Sequence, residues 1–531
     1  MTRYALVVDL NRCVGCQTCT AACKHANATA PGVQWRRVLD FETGRFPDVR
    51  RAFLPVGCMH CDAPPCLDVC PSTATGKRAD GIVTIDYDIC IGCAYCAVAC
   101  PYQARFRVDA PASAYGGRPM RHERARENPA RLGVAQKCTL CVERIDDGLA
   151  RGLVPGVDAA ATPACVNSCI AGALFMGDLD DPESNVSRLL RENRHFRMHE
   201  DLGTGPGIVY LYDGEIGQAE PAQPAPMEAE PVGLERVSPQ LQTSWDWRAA
   251  MNFILGGTGT GLFAWAALAT LAGAPLWGAL FLALALVGAG LLCVWLEIGR
   301  PWRFLNVLRH PQRSWMTREA LAAVAFLALG GLGWLLQAPL LTALAALAGL
   351  GFLYAQARIL RAARGIPAWR QGALVPLMVA TGLTEGAALF LLLAALAGPV
   401  PALWIAALLI LTGLRLALWR RYRCALRTAG APTAAIRALE TGVLHVLPAP
   451  QAAVALLLAV GLYFPLAGLA GAALALATGW GFKFRLITGA AYNQGYAIER
   501  MPARGAGHSA PGIRPGWTRD AEPGAGLKEA V

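Results

Sequence analysis

Residues 90–101 read Cys90-Ile-Gly-Cys93-Ala-Tyr-Cys96-Ala-Val-Ala-Cys100-Pro101. The thiols are separated by two, two and three residues, and proline closes the run. In this spacing three sulfurs converge on one cuboidal iron–sulfur cluster, while the last cysteine reaches a neighbouring cluster. Outward from this stretch the pattern recurs. Cys13, Cys16, Cys19 and Cys23 precede it, as do Cys58, Cys61, Cys66 and Cys70 with Pro71; Cys138 and Cys141, then Cys165 and Cys169, follow it. At four ligands per cubane these sixteen cysteines account for four [4Fe–4S] clusters. Zinc is the competing reading of paired CxxC motifs, but zinc ribbons do not repeat this run. Disulfides fit the tight clustering poorly. Cys293 and Cys424 have no partners in the pattern and read as inert small side chains.

The cysteines divide a chain whose average composition describes neither half. Over 531 residues it is 54% apolar and 16% charged, too hydrophobic for a soluble protein of that length and too charged for a purely membrane one. Residues 1–212 read as short strands and turns wrapped around the cysteines, an α+β domain. Residues 213–244 form a linker rich in Pro, Ala and Glu, a composition that buries no core. From 245 to 488 come eight apolar segments of membrane-crossing length, at about 248–271, 276–298, 319–337, 339–360, 373–396, 401–419, 445–463 and 465–484. They predict an all-α eight-helix transmembrane bundle, with Gly256, Gly257, Gly259 and Gly261 allowing close helix approach. Residues 489–531 read as a disordered tail.

The formal charge of +10 is carried mostly by arginine. In a soluble chain it would raise nucleic acid as a partner. Here the arginines cluster in short loops between apolar runs, so the expected partner is the lipid bilayer and no nucleic acid. No Ser-His-Asp set, P-loop or dinucleotide fingerprint accompanies the cysteines. Substrate chemistry is therefore expected on another chain.

The four cysteine groups, with the stretch RHFRMHEDLGTGPGIVYLYD, resemble the iron–sulfur subunit of the dimethyl sulfoxide reductase (molybdopterin oxidoreductase) family over about residues 4–212. That subunit carries four cubanes in two pseudo-symmetric ferredoxin-like units. The family's crossing rule implies one cluster on Cys13, Cys16, Cys19 and Cys169, and another on Cys138, Cys141, Cys165 and Cys23. A third would sit on Cys58, Cys61, Cys66 and Cys100, and the fourth on Cys90, Cys93, Cys96 and Cys70. Relatives with a three-iron cluster replace the cysteine at the position of Cys93, so four cubanes are implied here. The loop LEIGRPWRFLNVLRHPQRSWMTRE, residues 296–319, resembles the signature loop of the same family's membrane-anchor subunit, eight transmembrane helices without haem. The chain thus reads as a fusion of the two, and the resemblance implies a molybdopterin-containing catalytic partner and exchange with the quinone pool.

Many family members carry His where this chain has Glu297, a position associated with quinol binding. Carboxylate and imidazole both exchange protons. Ionisable groups at membrane depth are functional candidates by default, which nominates Glu297, Arg300, Tyr354, Glu385, His445 and Lys483 for the quinone site. Gln356 and Arg485 lie close by in sequence. The bland alternative is that Arg300, Lys483 and Arg485 are snorkelling anchors. No haem is expected, since only His310 and His445 precede the tail in the membrane half and His310 lies in a loop.

The connections on the domain-bearing side carry Arg300, Arg303, Arg309, Arg313, Arg318, Arg358, Arg361, Arg364, Arg370, Arg420, Arg421, Arg423, Arg427 and Arg437. The opposite connections, near 272–275, 337–339, 397–401 and 463–466, contain no Lys or Arg. By the positive-inside rule the cysteine-rich domain faces the cytoplasm, at a bacterial inner membrane. The opening residues MTRYALVVDL carry neither a twin-arginine pair nor an apolar signal region. Within the family, inward facing resembles cytoplasmic sulfite dehydrogenase, whereas dimethyl sulfoxide, tetrathionate and polysulfide reductases generally act outside. The expected role is electron transfer from sulfite oxidation to quinone. The alternatives are a quinol-oxidising subunit of an S- or N-oxide, tetrathionate or polysulfide reductase, and a membrane ferredoxin with no molybdenum partner.

Overall fold

The computed structural model describes residues 2–43, 50–111, 113–117, 120–126, 128–212, 237–441 and 448–496. The continuous apolar run of Tyr4–Asp9, buried on both faces, builds the central strand of a four-stranded sheet. This strand runs parallel to Ile208–Leu211, with Leu6 opposite Ile208, and antiparallel to Leu174–Asp178, with Tyr4 opposite Asp178. Val7 and Val209 pack on Val186, from the helix Asn185–Glu192. Leu6, Val8, Ile208 and Tyr210 share a core with cysteines from three of the four groups. Three two-stranded ribbons complete the domain: Arg36–Thr43 with Arg50–Gly57, Thr75–Lys77 with Val83–Ile85, and Phe106–Arg107 with Ala135–Gln136.

Among the described residues seven helices are long and apolar enough to cross a membrane: Trp247–Leu271, Trp277–Glu297, Trp315–Leu335, Pro339–Ala362, Leu374–Ala397, Ala402–Thr428 and Pro465–Thr488. An eighth, Pro448–Gly461, precedes the last of these and has 14 residues; residues 445–447 of its expected segment, with His445, lie outside the described residues. Pro465 starts a new helix, so the seventh and eighth segments are separate. The third helix begins four residues before its apolar run, directly after Ser314 at its N-terminal boundary. The sixth continues nine residues beyond its expected end at 419, through Arg420, Arg421, Arg423 and Arg427. Arginine is a good helix former, so the helix outlasts the hydropathy. The signature loop folds as a 3-10 helix over Pro301–Arg309. Gly261 of the first helix lies against Gly382 and Gly386 of the fifth, a contact that any side chain would push apart.

The boundary placed at 488 falls too early. Residues 489–496 return to the cysteine-rich domain: Tyr492 bridges to Leu241, the Tyr496 hydroxyl donates to the Tyr102 carbonyl at 2.8 Å, and His199 Nε2 donates to the Gly495 carbonyl at 3.0 Å. Residues 237–244, assigned to the linker, are likewise held, with Tyr496 N–H on the Val237 carbonyl. Neither stretch carries an apolar run to signal packing, but their backbone groups find fixed partners. Residues 213–236 and 497–531 lie outside the described residues.

Candidate metal centres and the membrane junction

The two runs with matching spacing fold alike. Gly15 and Gly92 take left-handed backbone angles (φ +69° and +71°), and so do Gln17 and Ala94 (φ 61° and 56°). A short helix then follows in each, Thr18–Asn27 and Tyr95–Ala99. The two bends curl each loop so that its thiols face one hollow. Cys13, Cys16, Cys19 and Cys169 wall one such hollow, and Cys70, Cys90, Cys93 and Cys96 wall another. Two further sets are drawn together. Burial, then the charges of Cys138, Cys165 and Cys141, push the Cys23 thiol up. Burial, then Cys58, Cys100 and Cys66, do the same to Cys61. Among the described residues no three His, Cys, Asp or Glu side chains close upon a single-ion site.

The surrounding cations test what these hollows fit. Arg36 is fully buried, and none of its three guanidinium nitrogens has a hydrogen-bond partner. Its electrostatic neighbours are Cys165, Cys138 and Cys19. Arg105 is also buried; Nη2 lies 2.9 Å from Cys66 Sγ and Nη1 donates to Thr75 Oγ1 at 3.0 Å, with Cys96, Cys58 and Cys100 nearby. Lys137, buried as well, donates to the Val83 and Cys138 carbonyls and neighbours Cys58 and Cys66. His60 Nδ1 accepts from Val83 N–H at 3.1 Å, which puts the ring proton on Nε2, an atom without a partner beside Cys58 and Cys138. A buried unpaired charge costs several kcal/mol, about 3–5 when one partner of a pair is missing. Such a collection of cations is stable only around anions, which is what thiolate-ligated iron–sulfur clusters are. The residues fit the group.

The third cysteine group is seated directly on the membrane half. Gly299 N–H donates to the Gly92 carbonyl and Arg300 N–H to the Ile91 carbonyl, at 3.2 and 3.1 Å. Trp245 Nε1 donates to the Cys93 carbonyl at 3.0 Å, Asn306 to Ile89 at 3.1 Å, and Arg303 to Tyr87 and Cys90 at 2.6 and 3.3 Å. His310 Nδ1 donates to the Cys70 carbonyl at 2.9 Å, and Ser314 to Val69 at 2.9 Å. Trp245 stacks between Tyr95 and Trp369, at 5.5 Å from each ring. Beneath this seat lies an apolar cavity of about 440 Å³ between the second helix, the 3-10 helix and the third helix. Ile91 forms part of its wall, and Glu319 is the one ionisable lining residue among the described residues. The Glu319 carboxylate accepts from Asn252 Nδ2 at 3.3 Å.

Among the described residues, those nominated from sequence each have their own hydrogen-bond partners. Glu297 is buried at the end of the second helix, where it accepts the Asp246 amide N–H at 3.1 Å. Arg300 binds the Leu132 and Pro129 carbonyls. Tyr354 accepts from Arg358 at 2.7 Å and meets Trp315 edge-on. Gln356 donates to the Asn252 carbonyl at 3.1 Å, one residue contact from Glu319. Glu385 and Lys483 are paired at 2.6 Å, both fully buried, with the Thr258 hydroxyl on the same carboxylate oxygen. Arg485 is exposed. Sequence reading passed over Arg36, Arg105, Lys137 and Glu319. Only Glu319 left a signal, a carboxylate one turn after Trp315 at the mouth of an apolar run.

These features define a multi-pass membrane protein that carries iron–sulfur clusters at the end of a helical anchor. A family model described as a 4Fe-4S dicluster domain matches residues 49–179, and one described as DMSO reductase anchor subunit matches residues 243–439. A selenate reductase subunit of Mesobacillus selenatarsenatis is 42% identical over 226 residues, 39% of this chain and 72% of that one. The putative dimethyl sulfoxide reductase iron-sulfur subunit of Halobacterium salinarum is 39% identical over 43% of this chain and 86% of its own. A sulfite dehydrogenase subunit of Allochromatium vinosum is 36% identical over 45% and 90%. The chain belongs to the iron–sulfur electron-transfer subunits of the molybdopterin oxidoreductase family, here continuous with that family's membrane anchor.

Proposed function

We propose that this chain carries electrons between a molybdopterin-containing catalytic subunit and the quinone pool, with sulfite oxidation coupled to quinone reduction. Four [4Fe–4S] clusters, when bound, supply single-electron transfer along this route. The cysteine sets assigned to them are Cys13, Cys16, Cys19 and Cys169; Cys138, Cys141, Cys165 and Cys23; Cys58, Cys61, Cys66 and Cys100; and Cys90, Cys93, Cys96 and Cys70. Arg36, Arg105 and Lys137 balance negative charge between them. The observation that carries the quinone reading is a shared wall: Ile91, beside Cys90, lines the apolar cavity that holds Glu319. Quinone reduction takes two electrons and two protons, and Glu319 is the ionisable group in this lining that would exchange a proton with the ring oxygens. Glu297, next to the lining residue Ile298, keeps the junction closed by fixing the start of the first helix.

A cytoplasmic face for the cluster domain, argued from the arginine asymmetry, supports sulfite as the donor, as does the relative named for sulfite dehydrogenase. The reverse flow, from quinol to a reductase, is favoured by the relative named for selenate reductase. The test of the quinone assignment is Glu319→Gln in the intact complex. Quinone-linked turnover should fall at least ~100-fold, the scale of a lost general acid or base. Turnover with a soluble dye that draws on the clusters should persist, at an unchanged content of about sixteen iron atoms per chain. Full quinone activity in the variant would remove Glu319 from the mechanism.

A further inference from the structure

On the domain-bearing side, at the ends of the third and fourth helices, lies a further hollow of about 720 Å³. Arg313, Arg358, Arg361, Arg364 and Arg370 line it, together with Trp315. Among the described residues Asp68 and Asp201 are its only carboxylates, so five guanidiniums face two negative charges there. Of the five, only Arg313 is in an ion pair among the described residues, with Asp68 at 3.2 Å and both groups about half exposed. Arg364 and Arg370 spend hydrogen bonds on the carbonyls of Leu202 and Arg364 and on Gln494, which fixes them without neutralising them. Among the described residues the hollow is a concavity with an excess of three positive charges.

Its position says what fills it. Arg358 and Arg361 end the fourth membrane helix, Trp315 begins the third, and Asp68 and Asp201 belong to the cluster domain, so the hollow sits where domain meets bilayer. Trp315 is clamped between the Arg318 and Arg358 guanidiniums, 4.3 and 4.2 Å from its ring centre. Aromatic and basic residues of this kind mark the headgroup level. Below Arg358 an exposed apolar stripe continues along the same helix at helical spacing: Tyr354, Leu350, Leu347, Leu344 and Leu340. A ligand that suits both parts has an anionic head and a long apolar tail.

We propose that this hollow is a binding site for an anionic phospholipid, whose phosphate is held by Arg361 and Arg364 and whose acyl chains lie along the Tyr354–Leu340 stripe. Basic pockets at the ends of transmembrane helices recognise such headgroups. The experiment uses the intact complex in a non-ionic detergent, with retained lipid measured by native mass spectrometry after addition of phosphatidylglycerol or phosphatidylcholine. Wild type should retain phosphatidylglycerol over phosphatidylcholine. R361Q/R364Q should bind it roughly thirtyfold more weakly, from two arginines at the membrane surface. R420Q/R421Q, which removes two exposed arginines from the end of the sixth helix, should leave retention unchanged, and R361K/R364K should keep most of it. Equal retention of the two lipids by wild type would overturn the assignment even if a variant failed to assemble. Equal loss in both arginine pairs would mean general surface attraction and reject the site. Displacement by millimolar inorganic phosphate would make it a soluble-phosphate site instead. Loss of the catalytic subunit from R361Q/R364Q with lipid retention intact would make it a protein-docking surface.

Discussion

Arg36 and Arg105 hold corresponding stations in the two halves of the cluster domain, each buried between thiols assigned to two different clusters. A fixed positive charge favours the more negative, reduced state of whatever lies beside it. At an effective dielectric constant of about 20, a unit charge some 6–8 Å away contributes about 2 kcal/mol, or about 90 mV for one electron. Arg105→Gln should therefore lower the midpoint potentials of the clusters on either side of it by tens of millivolts, read by EPR-monitored titration. Arg78→Gln is the control: that arginine pairs with Asp146 at the surface and should shift nothing. Unchanged potentials in the Arg105 variant would assign the residue to packing alone. Neither buried arginine was legible in the sequence. Cysteine spacing announces a ligand, but an arginine five residues after Cys100 looks like any other until the fold removes its water. Glu319 was hidden differently, because it stands at the seam between a basic loop and an apolar run and reads equally well as the last residue of one or the first of the other.

The loop that carries Cys90 and Cys93 is fixed to the anchor by the approach of three glycines, Gly92, Gly133 and Gly299. Gly92 has φ +71°, and a Cβ there would run into the Gly133 carbonyl and stand 3.0 Å from Gly299 N. Gly92→Ala combines left-handed strain with a clash against main chain that cannot swing away. The expected cost is ~2–5 kcal/mol, seen as a lower thermal midpoint and selective loss of the EPR signal of the membrane-proximal cluster. Gly116→Ala, at φ +77° with open space around it, should show the strain alone, on the order of 1 kcal/mol. A Gly92 variant no worse than the Gly116 variant would mean that the loop can shift and the close approach is not structural. Elements of this kind were half legible. The glycine in CIGC follows from its motif, and the apolar runs gave the helices to within a few residues. The 3-10 turn of the signature loop and the arginine-bearing end of the sixth helix escaped, because hydropathy reports burial in lipid and not helicity.

Both ends of the anchor touch the same domain. The chain enters the first helix from Trp245, whose indole binds Cys93, and leaves the last one through Tyr496, whose hydroxyl binds Tyr102. Entry and exit on one side require an even number of crossings, a constraint independent of any hydropathy count. The basic loops share that side. A reporter joined to the C-terminus should thus be active in the cytoplasm and silent outside it; activity outside would remove the argument for a cytoplasmic sulfite donor. The return of residues 489–496 could not be read from a sequence so rich in small residues, since what holds it is main-chain pairing. The seat between the halves is made the same way: Gly299, Arg300, Trp245, Arg303, Asn306, His310 and Ser314 all end on carbonyl oxygens of the cysteine loops. A joint that grips the peptide and ignores its lettering is indifferent to most spelling changes on the side it holds. Two lineages can drift apart in sequence there and still couple, which gives a plug of constant shape to an electron outlet whose upstream chemistry is free to change.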